Sequence, residues 1–378
     1  MDVTAYTTRM RRFWLLLAIV AITSLGPPSV LAEGEVTAVV HARVTSIIDE
    51  RIERIPGTDT TTRIQTLGAV VLDGQDAGKE IIIENDIIHL RVGDKLFASV
   101  TRDGLGNTRY GLLEPDRARP LWILGVLFVG VIVAIGGWQG VRALVSLAAT
   151  IAIVMYALIP GILQGLPVLA VAVGCAMLML AIAMYATHGF SRVTHAAFLG
   201  TSIAVLVTGL LGAWSVNAAR LSGFSAEGST YVNLLTNGHV DFAALLLGAI
   251  IIGAVGVLDD IAMTQAEFVV SLVRVGARED RAKIWNEAMG VGRAHIGALV
   301  NTLALAYAGS ALPLLILITL SPASTMLTLN GELIATELVR TAVGSIGLVL
   351  TMPLVTALAV WMIVPRVRGA TETRHIHG

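Results

Sequence analysis

A series of apolar segments constrains this chain more than any other feature, because each is close to the length of about 20 residues that a helix needs to cross a bilayer. They lie at 121–138, 141–160, 166–187, 196–216, 242–258, 294–320 and 333–363. Hydrophobic residues make up 55% of the chain and charged residues only 14%, a composition too apolar for an ordinary soluble fold. The sequence therefore predicts an α-helical polytopic membrane bundle of about seven spans within residues 120–365.

The first 32 residues have the pattern of a targeting segment. A basic "RMRR" motif precedes an apolar stretch that begins at Phe13 and ends at Leu25, and small residues follow at Val30 and Ala32. This pattern is typical of a signal peptide or of a signal anchor, and both alternatives place the residues that follow outside the cytoplasm.

Residues 33–119 have a different character, because charged residues return and the apolar residues alternate. In "VTAVVHARVTSI", Val40, Ala42 and Val44 fall on one face of a strand, as the two-residue period of a strand requires. Turn-forming clusters, "LDGQDAGKE" and "RDGLGNTRY", separate the further strand-like runs. The sequence predicts a small, barrel-like all-β domain of roughly five strands.

The basic residues beside the spans predict the orientation. With the N-terminus inside, the cytoplasmic face collects Arg9, Arg11, Arg12, Arg142, Arg192, Arg274, Arg278, Arg281, Lys283, Arg293, Arg366, Arg368 and Arg374. The short outer loops hold only Arg220. We therefore expect the β domain outside and the tail 366–378 in the cytoplasm, as in a multi-pass protein of the bacterial cytoplasmic (inner) membrane.

An adjacent acid pair, Asp259 and Asp260, follows the apolar run 242–258. Polar residues that include Glu267 then recur every three or four positions, which predicts an amphipathic helical segment at 259–290. Two placements are open: the segment lies along the cytoplasmic interface, or it continues the preceding span and the acids line a wet cleft. In the second placement, the pair is a candidate proton or cation site.

Polar groups also interrupt the last two predicted spans. Asn301 is either a hydrogen-bonding group between helices or a neutral ligand, and Pro313 removes a backbone donor and predicts a kink. Glu337 and Arg340 are three residues apart, so they can pair on one helix face. A charged pair within a span faces protein or water, and both a structural clamp and a role in transport remain open for it.

Catalytic motifs are absent from the sequence. It has no HExxH, GxSxG, Walker or CxxC motif, so metalloprotease, hydrolase, ATPase and redox functions have no support and no enzyme activity, metal site or cofactor is expected. The net charge of -1 gives no indication of a nucleic-acid partner.

Several long blocks resemble the YibE/F family of bacterial multi-span membrane proteins. They are "GAIIIGAVGVLDDIAMTQAEFVVSLVR", "GRAHIGALVNTLALAYAGSALPLL" and "GELIATELVRTAVGSIGLVLTMPL", with "YGLLEPDRARPLWIL" and "GWQGVRALVSL" upstream. The resemblance implies an outer small domain followed by a helical membrane bundle, but no established substrate or catalytic residue. The polar positions that it carries over are Asp259, Asn301, Glu337 and Arg340.

Together these observations predict a permease-like membrane protein that carries out ion- or proton-coupled transport of a small solute. Its candidate transport or ion site comprises Asp259, Asp260, Glu267, Asn301, Glu337 and Arg340. The alternative is a non-transporting scaffold or assembly factor, whose β domain at 33–119 binds an extracytoplasmic protein. The lipid bilayer and a second copy of the chain are the other expected partners.

Overall fold

The computed structural model describes residues 38–55, 57, 59–86, 88–102, 108–224, 228–275, 280–320 and 324–364. The predicted targeting segment 1–32 and the tail 366–378 lie outside these residues. The described residues form two units, one that ends at Ile135 and one that begins at Gly136.

The first unit contains an antiparallel sheet that confirms the predicted β domain. Its strands are β1 (Ala38–Arg54), β2 (Thr61–Val71), β3 (Glu80–Asn85), β4 (Lys95–Arg102) and β5 (Thr108–Pro115). They lie in the order β3-β2-β1-β4-β5 and form a half-barrel. Val40, Ala42 and Val44 are buried in its core, as the alternation predicts, because successive side chains of a strand point to opposite faces.

The helices follow the sheet in chain order. They are α1 (Ala118–Ile153), α2 (Ile159–Leu163), α3 (Val168–His188), α4 (Arg192–Ala218), α5 (Ser229–Leu235), α6 (Phe242–Val275), α7 (Arg281–Ser310), α8 (Leu312–Leu320), α9 (Thr325–Leu329) and α10 (Glu332–Ile363). A π-helical turn, Val154–Leu158, joins α1 to α2. In the second unit, α3, α4, α6 and α10 share one hydrophobic core.

The predicted count of seven spans is not confirmed. Among the described residues, five helical runs are long and apolar enough to cross a membrane, or six if α7 and α8, which are bent by 76°, count as one. One difference arises at Ala118–Leu163, a single run of 46 residues that contains both predicted segments 121–138 and 141–160. The count of five also leaves out the predicted segment 294–320, which contains the bend between α7 and α8. Hydropathy shows where apolar residues lie, but it does not show where a backbone breaks.

Gly137 interrupts this long run. Its φ of 53° and ψ of -133° are not helical, and glycine is the residue that adopts such angles without steric cost. A continuous helix of this length would measure about 70 Å, roughly twice the thickness of the hydrocarbon core of a bilayer. The residues before and after Gly137 are each long enough for a span of their own.

Helices α4 and α10 touch through their backbones. A Cβ built at Gly200 would lie 2.8 Å from Val355 Cα and 2.9 Å from Val355 N, and a Cβ at Gly347 would overlap the side chain of Thr208. Small residues at helix contacts are the usual means of close packing in a membrane, where apolar lipid tails give the helices no hydrophobic reason to associate. Larger residues at Gly200 and Gly347 would therefore force α4 and α10 apart.

Candidate functional site

Helix α6 carries the acid pair without a break, so 259–275 continues the apolar part of the helix. Because successive residues turn by about 100° around a helix axis, the neighbouring carboxylates face different surroundings. Asp259 is half-buried, and its Oδ1 has no hydrogen-bond partner among the residues described. Asp260 is exposed and lines a cavity beside α7 and α10.

This cavity, the Asp260 cavity, has a volume of about 110 Å³. Its lining residues include Asp260, Thr264, Gln265, Gly292, His295 and Met352. A carboxylate, a hydroxyl, a carboxamide and an imidazole therefore face one small space, and all four groups can accept a hydrogen bond or bind a cation.

Gln265 connects the three helices around the cavity. The side chain is buried, and its Nε2 donates to Ala288 O on α7 and to Thr356 Oγ1 on α10, both at 2.9 Å. Arg281 makes a second link, because its Nη2 donates to Val364 O at 2.6 Å. The first half of α7 is thereby fastened to α6 and to the end of α10.

A second cavity, the Arg340 cavity, has a volume of about 420 Å³ and lies between α6, α8 and α10. Glu337 Oε1 and Arg340 Nη1 are 3.1 Å apart at its wall, which confirms the predicted pairing. The guanidinium carbon of Arg340 lies 5.9 Å from the centre of the Tyr307 ring, within the range of a cation–π contact. Pro313 also lines this cavity, just after the bend between α7 and α8.

Glu332 fixes the loop that borders the Arg340 cavity. Its carboxylate accepts hydrogen bonds from Ser222 N at 2.7 Å and from Gly223 N at 2.8 Å. Gly223 has a φ of 76°, and a Cβ there would overlap the carbonyl of Phe242. The end of α4, the start of α6 and the start of α10 are therefore joined at one point.

The two cavities lie at different levels along the antiparallel helices α6 and α7. Gly253 lies between Ala249 of the Arg340 cavity and Asp260 of the other cavity, and Tyr307 lies between Ser310 and His295 in the same way. A Cβ built at Gly253 would be 3.1 Å from Tyr307 Oη. The Gly253–Tyr307 contact therefore lies between the cavities.

Glu267 lines a third cavity, the His188 cavity, which has a volume of about 330 Å³. Its Oε1 lies 3.6 Å from His188 Nδ1, and Ser191, Thr194 and Arg274 also line this cavity. Ser191 is the N-cap of α4, where its hydroxyl accepts from Thr194 N at 3.1 Å. The polar residues that recur along 259–275 therefore line two different cavities.

The predicted site residues do not converge on one point. Asp260, Glu267 and the Glu337–Arg340 pair lie in three different cavities, while Asn301 is exposed and lines none of the three. Asn301 is two residues from Leu299, which lines the Asp260 cavity, and so it points about 200° away around the helix.

Sequence reasoning alone does not single out Gln265 or His295. Gln265 falls on the apolar side of α6, and a lone polar residue on such a face is the signal that could have identified it as a link between helices. His295 has no such signal, because its relation to Asp260 depends on the register between α6 and α7. In the described part of the chain, no group of three or more His, Cys, Asp or Glu residues is arranged to hold a metal.

The apolar helices and the half-barrel define a helical membrane protein with a small β domain. The sequence model of the YibE/F-like protein family matches residues 124–365, well over half of the chain. The chain therefore belongs to this family, as its sequence blocks predict. No curated protein and no solved structure matches it significantly.

Proposed function

We propose that the helical bundle is permease-like and carries out ion- or proton-coupled transport of a small solute along the seam between α6, α7 and α10. The observation that carries this proposal is the pair of cavities along α6, each with ionisable side chains in its wall, with the Gly253–Tyr307 contact between them. Ionisable groups are costly inside a membrane and usually mark ion or substrate pathways. No enzymatic step and no cofactor form part of the proposal.

The two halves of α7 differ in how many of their residues are buried, and this difference supports a gating role for the second half. In the first half, Ile284, Ala288 and Gly292 are buried, whereas beyond Gly292 only Leu303 is buried among the described residues of the helix. Weakly packed elements are the ones that open at low cost. In this proposal, Asp260 takes the proton or cation, and the second half of α7 moves Tyr307 away from Gly253 to join the cavities.

The other predicted residues receive roles that follow their positions. Glu337 and Arg340 brace or gate the Arg340 cavity, and Glu267 with His188 lines a separate polar entrance near the α3–α4 turn. Asp259 and Asn301 line neither the Asp260 cavity nor the Arg340 cavity. The proposal therefore assigns the ion to Asp260 rather than to Asp259.

The proposed orientation places the β domain outside the cytoplasmic membrane and the C-terminus inside, as the distribution of basic residues favours. It requires the chain to turn at Gly137, so that Arg142 lies in the cytoplasm. We expect reporter fusions after Asp116 to give the periplasmic phenotype and fusions after Gln139 to give the cytoplasmic one, measured as alkaline phosphatase and fluorescent-protein activity. Equal phenotypes at the two positions would exclude this topology, and fusions in the loop at Gly223 serve as an outer control.

Neutralising Asp260 tests the transport function directly. In proteoliposomes on a solid-supported membrane, we expect concentration jumps of protons, Na⁺, K⁺, Mn²⁺, chloride or phosphate to reveal a protein-dependent current. Asp260→Asn is expected to reduce this current by about tenfold or more, because removing an interaction of about 1.4 kcal/mol already changes a rate tenfold. Glu287→Gln, which neutralises an exposed carboxylate of α7 outside the cavities, is the matched control and should leave the current unchanged.

The competing function is a scaffold, and one observation favours it. On the outer face of the sheet, Ile48 and Ile82 are 55% and 66% exposed and flank Gly68, which pairs with Ile82 across the strands. An apolar patch on a small domain fits a protein partner. If wild-type proteoliposomes give no current for any of the tested ions, the scaffold is the better explanation.

A further inference from the structure

We propose that the Asp260 cavity is a binding site for a first-row divalent transition-metal ion such as Mn²⁺, Co²⁺ or Zn²⁺. The ion would be held by Asp260, His295 and Gln265, with water completing its coordination. The role of this ion as the coupling ion or the cargo rests on the proposed function, whereas its binding does not.

The tautomer of His295 provides the first argument. Its Nδ1 lies 3.0 Å from Val291 O, and because a carbonyl oxygen can only accept, Nδ1 is the donor. In the neutral ring, Nε2 is then a bare acceptor. Histidines that bind metals commonly donate their other nitrogen to a backbone carbonyl in this way, which fixes the tautomer and the direction of the ring.

The second argument is that the oxygens of the cavity are unused. Asp260 makes no hydrogen bond or ion pair through its carboxylate with the residues that the structure describes, and the hydroxyl of Thr264 donates to its backbone carbonyl at 2.9 Å instead. Gln265 uses Nε2 for both of the side-chain hydrogen bonds that it makes with the described residues. Its Oε1 is therefore available, while the two bonds hold the carboxamide in place.

Gly292 provides the space for an ion. A Cβ built there would lie 3.3 Å from Met352 Sδ and 3.4 Å from Gln265 Oε1, closer than most such contacts in proteins. The cavity of about 110 Å³ is large enough for an ion with a few waters, since a water occupies about 30 Å³ of liquid volume. A methyl group at position 292 would fill part of this volume.

The donor set indicates the class of ion. One imidazole nitrogen with a carboxylate and a carboxamide oxygen suits first-row divalent ions better than Na⁺ or K⁺, and the absence of a thiolate argues against a structural zinc site. The only cysteine of the chain, Cys175, is buried in α3. The site contains only two residues of the His, Cys, Asp and Glu set, so it is an open site with exchangeable waters, as an ion in transit requires.

Metal binding by the purified full chain in detergent tests this inference without any transport. We expect wild type to bind one Mn²⁺ in electron paramagnetic resonance titrations, in which the signal of free Mn²⁺ disappears on binding, with Co²⁺ and Zn²⁺ competing. Asp260→Asn, His295→Gln and Gly292→Ala should each raise Kd by about tenfold or more. Even the loss of a residue that only hydrogen-bonds to a metal ligand typically weakens metal affinity by about this factor.

Two controls make the result specific. Glu287→Gln changes an exposed carboxylate of α7 that lines no part of this cavity, and should leave Kd unchanged. The protein is purified without a histidine tag, and His375→Ala with His377→Ala removes the histidines of the C-terminal tail, again without an effect on Kd. His295 is exposed, so His295→Gln is expected to fold even if another variant does not.

The outcomes separate the two proposals. A wild type that binds none of the three ions, or a Kd that is the same in His295→Gln and Asp260→Asn as in wild type, overturns the metal site. Metal binding without any current would leave the metal site in place and remove the transport function. A current without metal binding would leave the transport function in place and remove the metal site.

Discussion

Reversing one charge of the Glu337–Arg340 pair is expected to destabilise the bundle by about 2–3 kcal/mol. In Arg340→Glu, two carboxylates face each other at side-chain positions that are only 27% and 24% exposed in wild type. Breaking a fully buried pair costs about 3–5 kcal/mol, and partial exposure lowers this value. Thermal unfolding in detergent measures the effect, with Arg293→Glu, an exposed arginine of α7, as a control within about 0.5 kcal/mol of wild type.

The double variant Glu337→Arg with Arg340→Glu is the decisive comparison. The two charges keep their spacing of three residues, so the ion pair can form again and we expect at least half of the lost stability to return. The contact of Arg340 with Tyr307 does not return, so the current in proteoliposomes should stay below that of wild type. If the double variant is no more stable than either single reversal, the pair is not what holds this wall of the Arg340 cavity.

The sequence predicts the local features of this protein well, since they depend on spacing within one element. Burial of Val40, Ala42 and Val44 follows from alternation along β1, and the Glu337–Arg340 pair follows from three-residue spacing on α10. The family follows from long sequence blocks and is confirmed. None of these conclusions needs the register between two elements.

The candidate site depends on registers that the sequence does not contain. His295 lies 35 positions after Asp260, and only the antiparallel alignment of α6 and α7 brings both to one cavity. The same alignment turns Asn301 away from this cavity, although its polarity makes it an obvious candidate. The count of spans is not confirmed for a related reason, because hydropathy does not show whether the run Ala118–Leu163, interrupted at Gly137, crosses the bilayer once or twice.

Removing the ring of Tyr307 is expected to open the seam between the cavities. In Tyr307→Ala, the contact of the ring with Arg340 and the approach of Oη to Gly253 are both lost. A cation–π contact is worth about 0.5–2 kcal/mol, and a change of 1.4 kcal/mol in the preference for the closed state alters the open population about tenfold. We therefore expect the passive leak of the transported ion to rise by about tenfold. The current should also depend less on the gradient of the ion or proton that drives transport.

Tyr307→Phe separates the ring from its hydroxyl. It keeps the aromatic ring between the cavities and the contact with Arg340, so the leak should stay near that of wild type. Tyr156→Ala, which removes an exposed tyrosine of the π-helical turn, controls for the loss of an aromatic side chain elsewhere in the bundle. Leak is measured with an ion-sensitive dye inside proteoliposomes. A Tyr307→Ala protein as tight as wild type that still carries a full coupled current would show that the ion does not pass between Gly253 and Tyr307, because removing a closed gate from a conducting path must raise its resting permeability.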